Sequence, residues 1–79
     1  MKYNYNNIMI QKLRLRSLEL FKSEKISWIE HNLNLIEMSK SLDKMLVDEH
    51  NYMFITNMIN NYESDDIREL IKNIRLQSY

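Results

Sequence analysis

The sequence predicts an all-α fold, a small bundle of three or four helices built around a long central helix. The first observation is that none of the 79 residues is glycine or proline, whereas the tight turns of a multi-stranded sheet depend on glycine. The second is that apolar residues recur at spacings of three and four, as on one helix face. The third is that helix-capping residues precede two of these stretches. A chain of this length forms one core, so residues 1–79 are expected to be a single helical domain.

The first predicted helix ends at about Lys22. Residues 1–7 are polar and contain two tyrosines, and we expect a frayed start there. Residues 23–25 are the expected connection to the next helix. The apolar face of this first helix consists of Ile10, Leu13, Leu20 and Phe21.

The central stretch, residues 26–59, is predicted to be mostly helical and apolar on two faces. Ser27 and Glu30 have the S-x-x-E spacing of a capping box, which places the helix start at about Ser27. At about 100° per residue the two faces lie nearly opposite each other, so the helix needs two neighbours, the rest of the chain and a partner. The first face is Ile26, Ile29, Leu33 and Ile36, and the second is Leu35, Met38, Leu42, Met45 and Leu46.

The sequence leaves open whether this central helix is continuous. Its most polar interruption is residues 48–51, Asp-Glu-His-Asn. A break there would create a third helix from Tyr52 to about Tyr62. Because glycine and proline are absent, the sequence is equally compatible with one helix that runs straight through.

The last predicted helix follows the acidic segment at residues 64–66, Ser-Asp-Asp. These side chains suit a helix start, because they cap backbone N–H groups and interact favourably with the helix dipole. The helix carries one apolar stripe at i, i+3, i+4 and i+7, formed by Ile67, Leu70, Ile71 and Ile74.

Charge is balanced overall but uneven along the chain. Residues 1–25 carry six Lys/Arg against two Glu, and residues 26–69 carry nine acids against three bases. The favoured explanation is that a basic first helix packs along an acidic second helix. Direct nucleic-acid binding is disfavoured, because the whole chain is neutral and no glycine turn of a helix-turn-helix is present.

Several classes of site find no support in the residues. Without cysteine or glycine, the chain has no disulfide, thiolate metal site or glycine-rich phosphate loop. His31 and His50 each directly follow a glutamate, and adjacent residues do not project together as a bundle metal site requires. We therefore predict solvated histidines, no metal and no cofactor. No signal peptide or membrane span of roughly 18 apolar residues is visible, so a soluble, cytoplasmic protein is expected.

A short segment resembles a motif of a known family. Residues 35–46 read Leu-Ile-Glu-Met-Ser-Lys-Ser-Leu-Asp-Lys-Met-Leu, and residues 10–14 read Ile-x-x-Leu-Arg. Both resemble the helices of the small aspartyl-phosphate phosphatases of the sporulation stage-zero family, whose second-helix motif is Ser-Gln-x-Leu-Asp. Lys40 stands at the position of the family's Gln. The resemblance implies a helical hairpin that docks on a response regulator and promotes hydrolysis of its phospho-aspartate, with Ser39 and Asp43 at the acyl phosphate.

The function predicted first is that of a small non-enzymatic regulatory or inhibitory protein that docks a helical face on another protein. Enrichment in Asn, Ile, Lys and Tyr is typical of an AT-rich genome, such as that of a phage or a low-GC bacterium. Two alternatives stay open, the response-regulator phosphatase and a homodimer whose second face is an oligomer seam. Methionines fill cores but also line adaptable binding surfaces. The candidate partner-binding residues are Trp28, Leu35, Met38, Leu42, Met45, Leu46 and Met53.

Overall fold

A computed structural model describes residues 5–77 and shows four α-helices that pack as a bundle. In chain order they are α1 (Tyr5–Lys22), α2 (Trp28–Leu42), α3 (Glu49–Asn61) and α4 (Ile67–Leu76). α1 packs on α2 and α3, and α4 packs on the same two helices. Over the described residues there is no β-strand. The predicted all-α class and the predicted number of helices are confirmed.

One hydrophobic core lies between the four helices, and every helix contributes to it. The predicted stripe of α4 is buried completely, so α4 is a one-faced amphipathic helix as predicted. Full burial of such side chains stabilises the fold by about 1.5–3 kcal/mol each. The buried apolar side chains are Met9, Leu13, Leu20, Met38, Leu42, Ile55, Ile59, Ile67, Leu70, Ile71 and Ile74.

The central stretch is not one long helix. Residues 43–48 separate α2 from α3, and the longest helix is α1, with 18 residues. The polar run at residues 48–51 is the start of α3, because Asp48 and Asn51 cap each other. The Asp48 carboxylate accepts from the Asn51 backbone N–H at 2.9 Å, and the Asn51 side-chain oxygen accepts from the Asp48 N–H at 2.8 Å. α3 therefore begins at Glu49 rather than Tyr52.

The starts of α2 and α4 agree with the sequence prediction. Ser27 is the N-cap of α2, and its hydroxyl accepts from the Glu30 N–H at 3.1 Å. Asp66 is the N-cap of α4, and its carboxylate accepts from the Glu69 N–H at 3.1 Å. The Glu30 carboxylate pairs with Arg68 of α4 at 2.5 Å, so this salt bridge links α2 to α4.

α1 ends at Lys22 as predicted, in a Schellman motif that normally contains glycine. The Glu24 N–H donates to the Phe21 carbonyl at 3.0 Å, and the Lys25 N–H donates to the Leu20 carbonyl at 2.9 Å. Glu24 has a φ of 62°, in the left-handed region. A residue with a side chain costs about 1 kcal/mol there.

The start of α1 differs from the sequence prediction. Residues 5–7 are helical rather than frayed, and residues 1–4 of the predicted frayed segment lie outside the described residues. Asn6, in the first turn, donates its side-chain N–H to the carbonyls of Leu42 and Met45. These bonds hold α1 against the segment that joins α2 to α3.

The basic α1 packs along α2 as expected, but within residues 5–77 no ion pair joins the two helices. Arg16 of α1 donates to the backbone carbonyl of Tyr62, just after α3. α1 therefore bonds to the connections on either side of α3, one through Asn6 and the other through Arg16. Between α1 and α2, Ser17 is hydrogen-bonded with His31 and Asn34.

Candidate functional site

The exposed side of α2 is apolar. Ile29, Leu33 and Ile36 are 68%, 37% and 55% exposed, and they share one helix face at i, i+4 and i+7. Trp28 is 58% exposed beside them. We name these four residues the α2 docking face. It contains most of the first apolar face predicted from sequence.

The predicted partner-binding residues of the second face lie elsewhere. Met38 and Leu42 are 1% and 0% exposed, so they belong to the core and present no surface to a partner. Leu35 and Met45 are partly buried against that core. The sequence showed two nearly opposite faces, and the structure places the second one inward because α1 and α4 cover it. Of the remaining candidates, Trp28, Leu46 and Met53 are exposed.

Trp28 is held in place by two rings. Its centroid lies 5.4 Å from that of Phe21 at the end of α1, and 5.9 Å from that of His31. Phe21 and His31 are themselves stacked, with centroids 6.0 Å apart and an interplanar angle of 15°. An exposed Trp supported in this way loses little conformational freedom on binding, as an interface anchor should.

His31 is buried, contrary to the predicted solvated position, whereas His50 is exposed as predicted. Ser17, His31 and Asn34 are 0%, 6% and 2% exposed and form a polar network between α1 and α2. The Ser17 hydroxyl lies 2.7 Å from His31 Nδ1, and Asn34 donates to the Ser17 hydroxyl at 2.9 Å. The network is tolerated because its buried polar atoms are hydrogen-bonded to each other.

The Ser17–His31 contact has the distance of a nucleophile and its general base, but the geometry does not support catalysis. Ser17 is completely buried, so no substrate carbonyl can approach its hydroxyl. Asn34 bonds to Ser17 and not to the imidazole, so it does not orient His31 as the third member of a triad would. The network fixes how α2 sits on α1, and it thereby orients the docking face.

The sequence contains a signal for this network. His31 and Asn34 precede Met38 at intervals of seven and four residues, so all three share the core face of α2. A helix-wheel extension of the Met38–Leu42 face toward the N-terminus would have placed both polar residues inside. The opposite residue on α1, Ser17, shares the face of Leu13 and Leu20.

A shallow groove separates α2 from α1. His31 and Leu35 line it from α2, and Leu15 and Leu18 line it from α1. Leu15 is among the exposed large apolar residues, so apolar surface continues from α2 onto α1.

The residues of the phosphatase-like motif lie at the far end of α2. Ser39 and Asp43 are both exposed, and Asp43 is the C-cap residue that ends the helix. In the described part of the chain, no three His, Cys, Asp or Glu side chains are grouped so that they could hold a metal ion. Within residues 5–77, no helix is both long enough and apolar enough to cross a membrane.

Comparisons with models of protein families, with curated proteins and with solved structures found no match for this chain. The α2 docking face groups four exposed large apolar side chains on one helix, and the rings of Phe21 and His31 contact its Trp28.

Proposed function

We propose that this protein is a non-enzymatic regulator or inhibitor that docks the α2 docking face on another protein. The observation that carries the proposal is the exposure of Ile29, Leu33 and Ile36 beside Trp28 on one ordered helix. Single exposed apolar residues are ordinary, but a contiguous row of them marks an interaction surface.

The spacing of the row specifies how it would bind. Apolar residues at i, i+4 and i+7 are the anchors by which an amphipathic helix enters a groove or packs on another helix. Ile29 and Ile36 are separated by about 10 Å along the helix axis, at 1.5 Å per residue. A matching partner surface therefore spans about two helical turns, with a wider pocket at one end for Trp28.

The support behind the face favours binding without refolding. The opposite side of α2 is anchored by Met38 and Leu42 in the core and by the polar network to Ser17. A rigid face loses less entropy on association than a segment that must fold first. Such a face suits a small protein that acts by covering a functional surface of its partner.

The experiment compares two surface variants with matched chemistry. The immobilised protein captures partners from host extract, and the affinity of each purified partner is then measured. We expect Leu33→Ser with Ile36→Ser to weaken binding by at least about tenfold, since each removes a buried apolar contact. Leu46→Ser with Met53→Ser, two changes at exposed residues outside the docking face, is the control.

The proposal fails if both double variants bind the partner equally well. Sedimentation of the wild-type protein tests the homodimer alternative in the same samples. A dimer that becomes monomeric in the Leu33→Ser, Ile36→Ser variant would show that the docking face is an oligomer seam. Circular dichroism of both variants checks that the helices stay intact.

A further inference from the structure

The α2 docking face ends in a cluster of cations. Lys40 lies eleven residues after Ile29 and therefore continues the same helix face. Beyond it, the groove between the end of α2 and the end of α4 is lined by Lys44, Lys72 and Arg75 as well. Over the described residues no acidic side chain lines this groove, and its other walls are Ser41, Met45 and Leu76. We name Lys40, Lys44, Lys72 and Arg75 the cationic end.

Helix dipoles explain only part of this cluster. Cations are favourable near a helix C-terminus, and Lys40 and Arg75 lie in the last turns of α2 and α4. The packing of these two helices, however, brings three lysines and Arg75 to one groove that no acidic residue of the described chain lines. In the described part of the chain, no carboxylate lies within 4.0 Å of the ammonium groups of Lys40, Lys44 or Lys72.

The cationic end borders a groove of mixed charge. Two of its members, Lys72 and Arg75, also line this neighbouring groove toward the start of α4, together with Arg68 and the acidic residues Glu37, Asp66 and Glu69. The Glu37 carboxylate accepts a hydrogen bond from Ser41 at 2.6 Å. Lys40 and Lys44 do not line the mixed groove, so these two lysines are the cations that the end of the docking face presents away from the carboxylates of that groove.

We infer that the docking face accepts an amphipathic helical segment of a partner protein whose one end is acidic. The inference rests on the proposed function and specifies the chemistry of the partner. Apolar side chains of the segment pack on Ile29, Leu33 and Ile36, and its carboxylates lie at the cationic end. Charge complementarity of this kind raises the rate of association and fixes the direction in which a segment binds.

Two other occupants fit the docking face and its cationic end less well. A nucleic-acid strand presents phosphates along its whole length, but the cations occupy only one end of a face that is otherwise apolar. A second copy of this chain offers the exposed acidic residues Glu63, Asp65 and Asp66, and it is one outcome of the test. The segment of a different protein is favoured because it satisfies the apolar and the cationic parts together.

The test uses a display library of random peptides of about 16 residues, long enough for four helical turns. Peptides are selected on the wild-type protein, resynthesised with a fluorescent label, and measured by anisotropy against each variant. We expect selected peptides to combine helically spaced apolar residues with acidic residues at one end, and their binding to weaken as ionic strength rises. Lys40→Glu with Lys44→Glu should weaken them by at least about tenfold.

The matched control is Lys22→Glu with Lys25→Glu, which reverses two exposed charges at the end of α1. It should change affinity by less than about threefold. Selected peptides without acidic enrichment that still depend on Leu33 would overturn this inference and leave the proposed function standing. Loss of all selection would contradict both.

The rival occupants are measured directly. A labelled DNA oligonucleotide of about 16 nucleotides, phosphatidylglycerol vesicles and the unlabelled protein itself are each offered to the wild type and to the Lys40→Glu, Lys44→Glu variant. Tighter binding of any of these than of the acidic peptides, lost in that variant, would overturn the assignment to a protein segment.

Discussion

α2 and α4 use their apolar residues in opposite ways. Every apolar residue of the α4 stripe is buried, and α4 turns only polar side chains and Leu76 outward. In the first half of α2, by contrast, His31 and Asn34 face the interior while Ile29 and Leu33 face solvent. The two helices pack on each other in one bundle, yet the core covers the apolar stripe of α4 completely and leaves an apolar row of α2 in solvent.

The difference shows that apolar content alone does not tell which face of a helix points inward. α4 contributes to stability through a single stripe, whereas α2 forgoes part of that stabilisation. Each large aliphatic side chain left in water omits about 1.5–3 kcal/mol of possible burial energy. In its place α2 has hydrogen bonds on its inner side and a row of exposed apolar side chains on its outer side. This is the pattern that the proposed docking function requires of α2.

The largest expected effect on stability is the difference between mutating the buried Leu42 and mutating the more exposed Leu33 of the same helix. Leu42→Ala should destabilise the fold by about 2–5 kcal/mol, because it leaves a cavity in the core. Leu33→Ala on the docking face, where the side chain is 37% exposed, should cost clearly less, about 1 kcal/mol. Urea unfolding followed by circular dichroism measures both. If both variants lost the same free energy of unfolding, the two faces of α2 would contribute equally to stability, and the comparison would be wrong.

A second, smaller effect is expected at the polar network. Ser17→Ala removes the hydroxyl that contacts both His31 and Asn34. Two buried polar groups then lack a partner, and we expect a loss of about 1–3 kcal/mol. The control is Ser23→Ala, at an exposed serine near the end of α1. If Ser17→Ala were neutral or stabilising, the network would not be what holds α2 on α1.

The third effect concerns the connections that lead into the two helices. α4 is entered through an ordinary Asp66 cap, but α2 is entered through Glu24 in a left-handed conformation. Glu24→Gly should stabilise the protein by about 0.5–1 kcal/mol, because glycine adopts this φ without steric cost. Glu24→Ala, which keeps a Cβ, is the control and should give no such gain. The melting temperatures of the two variants and of the wild type measure this difference. A Glu24→Gly variant no more stable than Glu24→Ala would contradict the prediction.

The smallest effect is expected at the end of α2. Asp43 is exposed, so Asp43→Ala should leave the fold intact and change partner binding by less than about 1 kcal/mol. A phosphatase would instead need this carboxylate at the phospho-aspartate, and the change would abolish turnover. The assay follows dephosphorylation of acyl-phosphorylated response regulators. Turnover by the wild type that is lost in Asp43→Ala would replace the docking proposal with the enzymatic alternative.

The same comparison explains how far the sequence could predict the molecule. The start and the buried face of α4 were both predictable, because the helix has one clear N-cap and only one apolar stripe that can face the core. α2 was not, because its two stripes are nearly opposite, and the choice between them depends on Ser17, fourteen residues from His31 along the chain. A small side chain there leaves room for an imidazole. The spacing within α2 groups His31 and Asn34 with Met38, but it does not show which of the two faces turns inward.

The start of α3 was misjudged for a different reason. Asp48 and Asn51 are both typical of turns, so a run that contains them reads as an interruption. The same side chains cap a helix when they bond to its first backbone N–H groups. The orientation of α2 and the break before α3 together decide which apolar residues reach solvent. The sequence did not fix either of them, so it could not identify the docking face.

The bonds from α1 to the two connections have a consequence for biosynthesis. The acceptors of Asn6 and Arg16 lie 39 and 46 residues further along the chain. α1 is therefore made well before the segments that complete its environment, and it waits with the Met9 and Leu13 face uncovered. Closing such loops has an entropic cost that grows only slowly with their length. The time between the synthesis of α1 and that of its covering segments therefore matters more than the length of the loops. During that interval the nascent chain is most exposed to aggregation and to proteases.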